Sequence, residues 1–163
     1  MIDDTDRQIL NILQQNARTS NAEIARQLDM APSAIFERIR KLEEKGILAG
    51  YVAQVSPRAV GLGLVAFIFV RAADRVGGTV TGERLAEVPE VLEVHHIAGE
   101  DCYLVKVRTA DTEALGRLLR DRIGSIPTVR STRTTIVLGT VKETMRLPLA
   151  EPAASDEEEP LHV

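Results

Sequence analysis

Apolar residues recur at helical spacing through the first fifty positions and switch to dense β-branched runs after position 64. In the first stretch Ile9, Leu10, Ile12 and Leu13 share one helical face, and Asp3 or Asp4 stands where a side chain can cap free backbone amides. "NARTSNAE" interrupts that pattern, and Ser20 with Glu23 forms an S-x-x-E capping box. A second helix is expected there, with Ile24, Ala25 and Leu28 on one side. Pro32 suits the first turn of a third helix whose buried stripe is Ile35, Ile39 and Leu42 and whose stop is Gly46.

The stretch "ILAGYVAQVSPRAVG" mixes extended and turn residues and predicts one strand or a small hairpin within a linker. "LVAFIFVRAA" then reads as a strand and "TGERLAEVP" as a short helix ended by Pro89. "VLEVHHIAG" and "CYLVKVRTA" read as two strands joined by the tight loop Gly99-Glu100-Asp101. "TEALGRLLRDRIGSI" predicts a helix and "VRSTRTTIVLGTVKE" a long final strand. The order β-α-β-β-α-β is the split βαβ, ferredoxin-like pattern, so the fold class is α+β. Its sheet has helices on one face only. Phe67, Phe69, Leu104 and Val107 are expected on the other face, which a second subunit would cover. The expected division is a helical domain over 1–50, a linker over 51–63, a sheet domain over 64–149 and an acidic, disordered tail over 150–163.

Charge changes this picture locally rather than globally. The net charge is −4, yet the tail alone holds Glu151, Asp156, Glu157, Glu158 and Glu159, with no Lys or Arg. The first 62 residues carry eight charges of each sign. Affinity for DNA must therefore come from clusters on particular faces. Aromatics are only 3%, which argues against recognition of single-stranded nucleic acid by stacking. The lone Cys102 cannot form an internal disulfide, the opening "MIDDTDRQ" is unlike a signal peptide, and "GLGLVAFIFV" is too short to cross a bilayer. A cytoplasmic protein with no membrane partner is expected.

With Ile35, Ile39 and Leu42 facing a core, Ser33, Glu37, Arg40 and Glu44 fall on the opposite side of the third helix, with Lys41 beside them. The blander reading is a three-helix core with a solvated charged face. As the second helix of a helix-turn-helix, the element would instead present Ser33, Ala34, Phe36 and Glu37 to base edges. Glu accepts from cytosine N4, and Ala or Phe contacts a thymine methyl. Arg38, Arg40 and Lys41 would clamp phosphates, and Ser20 with Asn21 would hold another.

Taken in order, "DDTDRQILNILQQNART", "IARQLDMAPSAIFERIRKLEEKGILAGYVAQV", "GLGLVAFIFV", "VPEVLEVHHIAGEDCYLVKV" and "VRSTRTTIVLGTVKETMRLPL" resemble the Lrp/AsnC (feast/famine) transcriptional regulators over residues 2 to 149. The resemblance implies a helix-turn-helix that binds double-stranded DNA and a βαββαβ sensing (RAM) domain. It implies a homodimer that assembles to an octamer. It also implies an amino acid or related metabolite as effector, bound near the loop between the second and third strands. Matched to this chain, that loop supplies His96, Ile97, Gly99, Glu100, Asp101, Cys102 and Tyr103. Gly99 suits a turn with an unusual backbone angle and exposed amides for a carboxylate, while Glu100 or Asp101 could hold an ammonium. Two positions depart from the family: Ala31 replaces a frequent Ser cap, and Cys102 precedes Tyr103 where a second Asp is common.

The alternatives are a sirohaem-decarboxylase-like enzyme, which the same two-domain layout also resembles, and a ligand-independent DNA-binding or architectural protein. No nucleophile–base pair, phosphate loop or paired acid and base stands at recognisable spacing, so no catalytic residue and no cofactor are expected. Adjacent strand residues point to opposite faces, so His95 and His96 are not expected to share a metal.

Overall fold

The computed structural model describes residues 2–75 and 78–150. The acidic tail, from residue 151 onward, lies outside them. The chain forms two compact units. Among the described residues, one holds those up to Ala53 and those from Glu143, and the other holds Gln54–Lys142.

Three helices build the first unit: α1 (Asp4–Gln15), α2 (Asn21–Gln27) and α3 (Pro32–Glu44). Their apolar stripes meet in one core of Ile9, Leu10, Leu13, Ile24, Ala25, Ile35, Ile39 and Leu42. Ile9, Ile24 and Ile35 are fully buried, each contributing about 1.5–3 kcal/mol of transfer free energy. The helix starts differ in their capping. Asp3 caps α1 and closes a reciprocal box with Asp6, its carboxylate accepting the Asp6 amide at 2.8 Å. Ser20 caps α2 through the Glu23 amide at 3.2 Å, but the Glu23 side chain binds Arg26 and Gln27. The expected box at Ser20 is therefore only half formed, because an i+3 arginine competes for the carboxylate. α3 starts at Ala31 without a side-chain cap, with Pro32 in its first turn. Gly46, at φ 65°, takes the left-handed conformation after the helix end that Gly adopts without a Cβ penalty.

The chain from Glu143 returns to these helices. The Leu147 amide donates to the Gln14 side chain at 2.6 Å, the Asn11 amide group donates to the Leu149 carbonyl at 3.4 Å, and Leu149 packs on the helical core.

The second unit is a four-stranded antiparallel sheet in the order β2-β3-β1-β4, from β1 (Leu64–Ala72), β2 (Val91–His96), β3 (Tyr103–Thr109) and β4 (Val129–Ile136). Helices α4 (Val80–Ala86) and α5 (Thr112–Arg117) alternate with the strands as the pattern requires. Leu85, Leu115, Leu118 and Ile123 pack on Ala66, Ile68, Val70, Tyr103, Val105 and Val107.

Four further expectations need correction. Residues 51–63 form turns and no strand. Their exposed apolar residues, Val52, Val55 and Val60, have no sheet neighbour to pair with among the described residues. The last strand ends at Ile136, not Glu143, because its pairing with β1 stops near the start of that strand, where Ala66 faces Ile136. The helix expected over "TEALGRLLRDRIGSI" widens after Arg117 into a π-helical segment, Leu118–Ile123, that ends with the Gly124 amide bonded to the Leu119 carbonyl at 2.8 Å. Finally, Val107 does not lie on the open face. It pairs with Ala66 in the core, and strand alternation puts Leu104, Lys106 and Arg108 on the open side instead.

Candidate functional site

The outward face of α3 begins with Ser33, Phe36 and Glu37, all exposed, with Ala34 half-buried beside them. Phe36 is 54% exposed, an unusual place for a large apolar ring with no core to fill. Arg40 follows one turn later and is held on both sides, by Glu37 at 2.8 Å and Glu44 at 2.6 Å. These contacts hold the Glu37 carboxyl below its ordinary value, chiefly through the hydrogen bond from Arg40, and raise that of Arg40. A basic residue so paired offers less charge to a phosphate than a free one does. Lys41 and Lys45 are exposed and form no ion pair among the described residues.

Arg38 points the other way. Its guanidinium donates to Asp3 at 2.7 Å and Asp6 at 2.8 Å, tying α3 to the capping box of α1. Of the seven α3 and two α2 residues singled out in the sequence, the helices bring Ser33, Phe36, Glu37, Arg40 and Lys41 onto accessible surface. Ser20 is engaged as the α2 cap, and Asn21 is half-buried at that helix start. Lys45 and Ile47 were missed. They lie beyond the helical periodicity that drew attention to α3, and only the chain turn at Gly46 brings Ile47 back beside it.

In the sheet unit the loop between β2 and β3 stands over the open face. Ile97 and Cys102 close it, the Ile97 amide donating to the Cys102 carbonyl at 3.0 Å. Gly99 adopts φ 135°, a conformation that side chains strain against. Both acidic residues of the loop have arginine partners: Glu100 meets Arg71 at 3.4 Å, and Asp101 meets Arg133 at 3.0 Å. Arg133 also lies over the Phe69 ring, 4.0 Å from its centroid, a cation–π contact. No local pattern marks these arginines, because Arg71 and Arg133 reach the loop only through strand pairing.

Cys102 and Tyr103 turn inward from the same loop. The Cys102 amide donates to the Val70 carbonyl at 2.9 Å, and its Sγ lies 3.4 Å from the Ala72 amide. Tyr103 is 2% exposed, and its hydroxyl donates to Asp74 at 2.8 Å. Asp74 also accepts from the Thr81 hydroxyl at 2.7 Å. Burial pulls the Asp74 carboxyl upward, but the hydrogen bonds from Thr81 and Tyr103 outweigh it and leave it below its ordinary value. Burial and the Asp74 charge together push the Tyr103 phenol up to about 12. His96 stacks on the Tyr103 ring at 5.1 Å, whereas His95 faces Glu93 at 3.2 Å, so the two imidazoles occupy opposite faces.

Two family models match the chain: a winged helix-turn-helix DNA-binding domain over residues 2–49 and the Lrp/AsnC ligand binding domain over residues 65–147. The HTH-type transcriptional regulator FL11 of Pyrococcus horikoshii is 40% identical over 148 residues, covering 91% of this chain and 97% of that protein. Among solved structures, a transcriptional regulator of Neisseria meningitidis in complex with L-Met is similar at TM-score 0.85 and 33% identity, over 91% of this chain and 97% of that one. The feast or famine regulatory protein of M. tuberculosis complexed with L-methionine is similar at TM-score 0.82 and 35% identity, over 90% and 99%.

Proposed function

Because the chain belongs to the Lrp/AsnC family of DNA-binding transcriptional regulators with a ligand-binding domain, we propose that it reads a particular duplex sequence through α3 and that an amino acid or close metabolite tunes this binding. The observation that carries the first part is the outward face of α3, where exposed Phe36 and Glu37 stand beside Arg40 and Lys41. Phe36, Ser33, Ala34 and Glu37 read base edges, with Phe36 suited to a thymine methyl and Glu37 to cytosine N4. Lys41 and Arg40 contact phosphates. Arg38 sets the angle between α1 and α3 rather than touching DNA directly. The helical unit, with boundaries near 1–50, does the reading, and the sheet domain that begins near 64 does the sensing, while the chain from Glu143 to 149 packs with the helices.

For the effector, the β2–β3 loop offers both charges that a zwitterion needs. Asp101 and Glu100 hold the ammonium, and Arg71, Arg133 and amides near Gly99 hold the carboxylate. The ligand displaces part of the existing pairing, which couples its binding to the loop and to Phe69 beneath Arg133. The L-Met complexes of the two similar structures support an amino acid as the class. The apolar strip Phe67, Phe69 and Leu104 on the open sheet face supports a homodimer as the unit, with dimers assembling to an octamer in the cytoplasm. Two recognition helices per dimer then supply through multivalency what one weakly basic helix lacks.

Fluorescence anisotropy with the chain's own upstream DNA and a random duplex of equal length tests this reading. A preference for the upstream DNA that weakens steeply with salt is expected, together with a shift on adding one of the twenty amino acids. Equal binding of both duplexes would refute the sequence-reading role.

A further inference from the structure

The end of the described chain runs beside α1 in a defined direction. Leu147 lies against Gln14, and two residues later Leu149 lies against Asn11, one turn nearer the start of α1. Up to Ala150 the described chain thus runs along α1 toward the N-terminal end of that helix. There α1 and α3 flank a groove of about 340 Å³. Ile2, Ala34, Leu42 and Ile47 give it apolar walls, and Lys41 and Lys45 stand on it. The other charges around the groove are committed, Arg38 to Asp3 and Asp6 and Glu37 to Arg40. Among the described residues Lys41 and Lys45 form no ion pair, so two exposed ammonium groups stand beside an apolar trough.

The 13 residues beyond Ala150 read "EPAASDEEEPLHV", with an acidic run from Asp156 to Glu159 followed by Pro160 and Leu161. Six extended residues span about 20 Å, and Asp6 lies within that span, about 8 Å along α1 from Asn11 and about 140° around a helix about 10 Å wide. Reach is ample, and both the charge and the apolar residue match the groove.

We propose that residues 156–161 dock in this groove of their own chain, with the acidic run against Lys41 and Lys45 and Leu161 on the apolar wall. The segment then competes with DNA phosphate for Lys41. The docking itself is independent of the DNA-binding role proposed above, and only the competition rests on it. The tail acts as an electrostatic brake: it screens weak, non-specific contacts and yields where a cognate duplex adds base contacts.

Carbodiimide coupling of the full chain, followed by digestion and mass spectrometry, tests the docking without DNA. Amide links from Glu157, Glu158 or Glu159 to Lys41 or Lys45 are expected at low salt and should disappear at high salt. A mixture of ¹⁵N-labelled and unlabelled chains should give links within one isotope class. Links between classes, links to other lysines, or no links overturn the intrachain docking. In a parallel experiment the four carboxylates are neutralised (Asp156→Asn, Glu157→Gln, Glu158→Gln, Glu159→Gln). Random duplex should then bind about three- to tenfold tighter at low salt. That gain should vanish when Lys41→Gln and Lys45→Gln are added. Links without any gain in affinity overturn the competition alone. Links in a protein that binds no duplex leave the docking standing and sink the DNA-binding role.

Discussion

Arg38 on α3 donates to Asp6 on α1 at 2.8 Å, with the two side chains only 32% and 16% exposed. The same guanidinium reaches Asp3, so one side chain joins α3 to the capping box of α1. Among the described residues Arg40, two positions on, is paired only within its own helix. The two arginines should therefore fail in different ways when removed.

Arg38→Ala should lower the stability of the helical unit by about 1–2 kcal/mol, more than an exposed pair and less than a buried one. Arg40→Ala should leave stability nearly unchanged and reduce the salt slope of duplex binding by about one. Urea unfolding and anisotropy against salt separate these outcomes. Equal loss of stability in both variants would contradict the assignment.

Glu37 both restrains Arg40 and offers an acceptor to cytosine. Glu37→Gln should tighten binding to random duplex and narrow the gap between random and preferred DNA. A variant that loses affinity for every duplex alike would remove Glu37 from the reading face.

Acid should act on the same corner. The Asp6 amide first, and Arg38 second, hold the Asp3 carboxyl below its ordinary 3.8. A depressed carboxyl contributes stability that is present above pH 3.8 and is lost as pH falls through the lower folded value. Asp3→Asn should flatten the fall of helical-unit stability in that window, as followed by circular dichroism. An unchanged acid transition would mean that the cap is not the group being titrated.

The two tyrosines make an alkaline counterpart. Burial first, then a carboxylate partner, Glu43 for Tyr51 and Asp74 for Tyr103, pushes each phenol from 10 up to about 12. A phenol raised in the folded state keeps its full contribution below pH 10 and loses it as pH rises toward 12. Absorbance at the tyrosinate band should therefore rise near pH 12 in the folded protein, and unfolding should be promoted between those values. A midpoint at 10 for Tyr103 would show that its bond to Asp74 is not maintained in solution.

Gly82 tests the packing beneath the loop. A Cβ there would come within 2.7 Å of the Tyr103 ring, which is buried and held by Asp74. Gly82→Ala should cost about 1–3 kcal/mol through overpacking, despite the usual preference for Ala in a helix. Thermal unfolding measures this. A stabilised variant would mean that the ring moves freely and that its bond to Asp74 does not fix it.

The hydrophobic periods determined much of this protein directly. The stripe Ile35, Ile39, Leu42 could be buried only on one side of a helix, so Phe36, Glu37 and Arg40 had to face out. The alternation of strands and helices likewise dictated a βαββαβ sheet with one uncovered face. These features depend on chain geometry of a few residues, which a sequence carries in full. Tertiary structure alone decided which partners the charges found. Glu23 could have closed a box with Ser20 and took Arg26 instead. Arg38 could have faced a phosphate and took Asp3 and Asp6 from 32 to 35 positions away. Val107 went to the core because its register with Ala66 fixes the side of the sheet, and a one-residue shift in pairing reverses every side chain. Long charged side chains choose among several neighbours of similar energy. Only packing, which brings distant elements to fixed separations, makes that choice.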